Sequence, residues 1–221
     1  MIAAQPETIR QRTKRKGTPP ISGYSMALAV HLLSLMIATS AATLTWYAAR
    51  RLRGVRDAGE ALQWLAFARG VARAFPIATI GLLASGGYMT ETHWTWSTPW
   101  VIAALAGLAA IVALGAGVEG RRNGALAREL ATNGLSDKAS GLLSDPVSWT
   151  AKAMTETLLV AVVLIMVLKP SAEGSAAWLV LAAVCGAVAA IPLWRARPAA
   201  PALAGGAAAA AQVEISLDPG S

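Results

Sequence analysis

Few side chains in this sequence stand where they could do chemistry, and Glu156 is the first of them. It follows Trp149 by seven residues inside an apolar run. At 1.5 Å per residue that is about 10 Å into a helix. A carboxylate at such depth in an apolar medium is costly and calls for a partner. Lys152 precedes it by one turn on the same face. Arg73, at similar depth in the second apolar segment, is the alternative partner. Two readings follow. Glu156 is a proton or ion relay, or a carboxylate poised beside a ligand. Otherwise it is one half of a structural charge pair joining the second and fourth segments, with Lys152 extending its ammonium to the interface. No second carboxylate is apparent inside an apolar run, and a relay needs a chain of groups, which favours the charge pair.

His31 and His93 are the only histidines. Imidazole ligates haem iron, copper and zinc. Met36 and Met89 add thioethers of the kind copper accepts. This makes a haem or copper site on His31, with His93 and Met36 as further ligands, one expectation for the chain. Neither histidine stands in a metal-spaced motif, and His93 among tryptophans reads equally as an interfacial residue. Cys185 is the single cysteine, which excludes an intramolecular disulfide and a cysteine metal cluster. No phosphate-cradling loop, metalloprotease helix or nucleophile elbow occurs. No catalytic residue is assigned, and the chain reads as non-enzymatic.

The elements that position these residues follow from composition. Of 221 residues, 55% are hydrophobic and only 14% charged. A soluble domain is about 25% charged. The apolar runs are of membrane-helix length, too long for the roughly 9–11-residue alternating strands of a barrel. The expected fold is an all-α integral membrane bundle of about five transmembrane helices. The spans fall at about 25–49, 65–88, 98–118, 146–168 and 176–194. Within them Pro76 is expected to kink span two. Thr98-Pro99 and Asp145-Pro146 open spans three and four, and Lys169-Pro170 closes span four. Residues 119–144 read as a loop containing a helical stretch near 125–131, which Asn133-Gly134 should end. Residues 1–24 form a basic tail, 25–195 the bundle, and 196–221 an Ala/Pro/Gly-rich tail expected to be disordered.

The net charge of +7 sits mainly at the ends of apolar runs. That pattern fits cytoplasmic anchors on anionic headgroups, so the expected partner is the lipid bilayer, and nucleic acid is excluded. With the N-terminus outside, Arg50, Arg51, Arg53, Arg56, Arg69, Arg73, Arg121, Arg122, Arg128, Lys138, Lys152, Arg195 and Arg197 are cytoplasmic, and only Lys169 faces outward. Both histidines then share the outer side. Arg10 to Lys16 oppose this orientation, and a start at Met26 would remove the conflict. Trp94, Trp96 and Trp100 are expected at the outer boundary, and Trp46, Trp149 and Trp194 at the inner one. Small residues at helical spacing (Gly81/Ser85, Ala103/Gly107, Ala113/Gly117 and Ala182/Gly186/Ala190) predict close helix approach, within one chain or in a homo-oligomer.

Three stretches carry a family resemblance: Ala27-Leu28-Ala29-Val30-His31-Leu32-Leu33; Gly86-Gly87-Tyr88-Met89-Thr90 running on to Trp96-Ser97-Thr98-Pro99-Trp100; and Leu164-Ile165-Met166-Val167-Leu168-Lys169-Pro170. The chain resembles a family of uncharacterised bacterial integral membrane proteins, distantly similar to copper-resistance D-type and haem-biosynthesis membrane bundles. That resemblance implies a multi-pass protein of the bacterial inner membrane and, at His31 alone, a ligand role. The Trp-x-Gly-Gly-like continuation associated with that histidine is replaced here by Met36-Ile37-Ala38-Thr39-Ser40. The leading functional expectation is a scaffold or an accessory subunit of a membrane-protein partner. Haem or copper handling is the alternative, and proton-coupled transport through Glu156 the second.

Overall fold

The computed structural model describes residues 22–195, and every regular element among them is helical. The basic tail up to residue 21 and the segment from 196 onward, with the disorder expected there, lie outside the described residues.

Ser22 starts α1 (Gly23–Arg53) by accepting a hydrogen bond from the Ser25 N–H. Asp57 does the same for α2 (Ala58–Ala72) through Glu60. These caps satisfy donors that no helix can pair internally. The second apolar segment starts earlier than expected and is broken: α2 ends at Ala72, and α3 (Ala74–His93) begins two residues on. Pro76 explains the position of the break. It has no N–H for the Ala72 carbonyl one turn back, and its ring crowds that carbonyl.

Thr98 and Pro99 open α4 (Pro99–Val112), though the Thr98 side chain makes no bond to the first turn. The long loop expected over 119–144 is largely helix. From α4 the chain passes without interruption through a π-helical segment (Ala113–Gly120) into α5 (Arg121–Asn133). Gly134, at φ +64°, ends α5 where the Asn-Gly pair predicted. After α6 (Asp137–Leu143), Asp145 caps α7 (Pro146–Leu168) by accepting from the Ser148 N–H at 2.8 Å. Lys169, at φ +49°, closes α7, and α8 (Ala172–Arg195) follows.

Among the described residues five helical stretches are long and apolar enough to cross a membrane: Gly23–Leu52, Ala58–His93, Pro99–Asn133, Asp137–Leu168 and Ala172–Leu193. They form two groups. α1 packs on α3, while α7 packs on α8, α4 and the π segment. The small-residue faces are used within the chain. A side chain at Gly107 would meet Val162 at 2.5 Å, and one at Gly186 would meet the Met154 backbone at 2.6 Å. Around Gly117, by contrast, there is open space.

At the Arg50 end, α2, α5 and α6 close over the bundle as a cap. Its core contains Leu52, Val55, Leu65, Leu126, Leu130 and Leu143. Trp149, expected at a lipid boundary, is instead buried beneath this cap, with its indole N–H donating to the Leu143 carbonyl at 3.0 Å. The Trp194 side chain lies outside the described residues.

Candidate functional site

The ionisable side chains singled out by sequence meet one partner that sequence reasoning placed in a loop. Lys152, on α7, does not pair with Glu156. Its Nζ lies 2.5 Å from an oxygen of Glu119, and both side chains are largely buried, at 13% and 15% exposure. Glu156 follows Lys152 by one turn and is half-buried. It makes no hydrogen bond or ion pair among the described residues, and Lys152 and Glu119 are the charges whose fields reach it. The expected bridge from Arg73 is not made. Arg73 is exposed at the α2–α3 break and joins no ion pair among the described residues, so no charge pair ties the second segment to the fourth.

The π segment accounts for the position of Glu119. Gly107 faces α7, since a side chain there would strike Val162. Twelve residues of regular α-helix turn the chain to about a third of a turn away from its starting face. Glu119 would then point away from Lys152. The wider π winding, with its i→i+5 bonds, removes part of that rotation and returns Glu119 to the α7 side. The glycine-rich sequence Ala-Leu-Gly-Ala-Gly-Val-Glu-Gly was the available signal, but it reads as a loop.

A small cavity opens beside this cluster at the junction of cap and bundle, lined among others by Arg122, Asn123, Ser148, Trp149 and Lys152. Arg122 is paired with Asp145. Arg53 lies over the Trp149 ring, 4.8 Å from its centre.

The histidines occupy a different region. His31 is buried between α1 and α3, with Nδ1 3.0 Å from Ser85 Oγ. Ser85 donates its own proton to the Gly81 carbonyl, so the imidazole is the donor in the His31–Ser85 bond. Gly86 gives the ring room: a side chain there would stand 3.3 Å from His31 Cε1. His93 is exposed at the end of α3 and packs against Tyr24, with ring centres 4.4 Å apart and ring planes tilted by 53°. Seven residues of helix separate Gly86 from His93, which sets the two imidazoles about 10 Å apart along the axis. One metal ion cannot bridge that distance. Met36 is 64% exposed, on the opposite side of α1 from buried His31, and Met89 is buried. Among the described residues no three His, Cys, Asp or Glu side chains gather around a point. For copper the donor set offers His31 with no second His, Cys, Asp or Glu grouped beside it among the described residues. For haem it offers a single imidazole, already committed through Nδ1 to Ser85.

In the cap, Glu129 accepts from Asn133 at 2.9 Å, from Ser136 at 2.8 Å and from Lys138 at 3.0 Å. The Asn133 and Lys138 bonds, with that from Ser136, hold its carboxyl well below the usual range, at about 2. No protein-family model, curated protein or solved structure matches this chain.

Proposed function

We propose that this chain is a multi-pass integral protein of the bacterial cytoplasmic membrane, its N-terminus outside, acting as a non-enzymatic scaffold or accessory subunit. The observation that carries the membrane reading is an inverted exterior. Ile77, Ile80 and Val167 are 67–70% exposed along the long helices, whereas the leucines of the cap are buried. A surface so apolar is compatible with lipid and unfavourable in water. The basic residues at the cap support a cytoplasmic placement for it. Open space beside Gly115 and Gly117 supports the accessory role, since small residues let a second helix approach closely.

Membranes washed with alkaline carbonate should retain the protein, and release into the supernatant would refute the membrane assignment. Affinity purification in mild detergent should bring down a stoichiometric membrane-protein partner with no bound cofactor. A Soret band, or near-stoichiometric copper lost in His31→Ala, would replace the scaffold with a cofactor-handling role. A second reading, proton-coupled transport through Glu156, gains support from Glu119, which supplies the further carboxylate that such a pathway needs.

A further inference from the structure

We propose that Glu119, Lys152 and Glu156 together form a binding site for one exchangeable proton, reached from the cap side of the bundle. This rests on the membrane placement of the five helices and gives Glu119 and Glu156 a role other than the transport of the second reading above. With all three groups ionised the cluster carries one negative charge in excess. Lys152 is held by Glu119 at 2.5 Å, so the excess falls on Glu156, which has no hydrogen-bonding partner among the described residues. An uncompensated, half-buried carboxylate among apolar helices is expensive, and a proton is the smallest group that removes the cost.

Among the described residues the surroundings offer no other group to do so. α4 carries no ionisable residue. α8 meets α7 at Gly186, against Met154 and Thr157, while its Cys185 is exposed. Arg122 is engaged by Asp145, and Arg53 lies against Trp149. Lys152 stands one turn from Glu156 and in contact with Glu119, so it can serve either carboxylate. The O–H bond broken at one carboxyl then re-forms at the other, and the ammonium keeps its three protons.

Access is one-sided. Lys152 lines the cavity under the cap. Beyond Thr157, α7 continues from Leu158 to Leu168 with apolar residues alone. A proton entering from the cap therefore leaves by the same route, which makes the cluster an exchange site, not a through-pathway.

Infrared difference spectra of the protein in phosphatidylcholine nanodiscs test this directly. At neutral pH the wild type should show a protonated-carboxyl C=O band that shifts in D2O and disappears on alkaline titration. The band should be lost in Glu156→Gln. It should also be lost in Glu119→Gln, although Glu156 is intact, because the released Lys152 then neutralises Glu156. A wild type without the band, or a band that persists in Glu119→Gln, overturns the shared site. Should Glu119→Gln not fold, Lys152→Met tests the same sharing: without the ammonium the wild-type band should grow, and an unchanged band overturns the shared site. Carbonate extraction is unaffected by either outcome, which separates failure of this site from failure of the membrane assignment.

Discussion

The cap of α2, α5 and α6 and the bundle beneath it belong to one continuous chain but are packed by different rules. In the cap, Leu65, Leu126, Leu130 and Leu143 are buried against one another, and polar faces turn outward. This is the arrangement water imposes on amphipathic helices. In the bundle many buried positions belong to small residues (Ala38, Ala41, Ala42, Ala161, Ala182 and Ala190), and large side chains such as Ile77, Ile80 and Val167 point away, although Leu158 and Ile165 are buried on α7. Where lipid surrounds the helices, burying a leucine gains little, and close backbone approach through small residues holds them together. A single chain thus changes its packing logic over about the one turn that separates Ala48 from Leu52 on α1. The same mutation should therefore have opposite consequences on the two sides of that boundary.

Leu130→Ala should give the largest effect, destabilising the cap by about 2–5 kcal/mol through lost transfer energy and the cavity left behind. Chemical denaturation followed by hydrogen exchange at α5 would measure it, and exchange in α3 should stay unchanged. Gly186→Ala should come next, at about 1–3 kcal/mol, because the added methyl meets the Met154 backbone instead of a flexible side-chain tip. Its signature is a lower thermal midpoint in detergent with the cap intact. A smaller effect should follow acidification. The Glu129 carboxyl titrates at about 2 in the folded cap, against an ordinary 4.5. Its contribution is complete above about pH 4.5 and is lost as pH falls towards 2. Melting curves between pH 6 and 2 should show the cap loosening over that window, and Glu129→Gln should flatten the dependence. The smallest effect belongs to Ile80→Ala, within about 0.5 kcal/mol, since a 68% exposed side chain leaves no cavity when shortened. A loss comparable to that of Leu130→Ala would show that the bundle is packed as the cap is.

What could be read from the sequence was set by local chemistry. Asp145-Pro146, Asn133-Gly134 and Lys169-Pro170 mark real helix ends because capping and proline geometry act within a few residues. Pro76 gave the interruption, and the structure places it one turn earlier, at the carbonyl that proline leaves unpaired. The five apolar segments were legible for the same reason. The candidate site was not. The bond between Lys152 and Glu119 joins residues 33 apart in sequence and depends on a π winding that glycine-rich sequence disguises as a loop. The cap core was hidden likewise, because Leu126 and Leu130 become a core only when α2 and α6 arrive from either side. His31 was visible as a residue, but its Ser85 partner lies 54 residues away.

α1 runs unbroken for 31 residues from the Tyr24–His93 ring contact into the cap core at Leu52. Its length is therefore about 46 Å. Mechanically it is a lever. A tilt of about 5° at one end displaces the other by about 4 Å, roughly the step from one residue to the next along the chain. Whatever presses on the end that carries Tyr24 is thus delivered, with little loss to bending, to the floor of the cap.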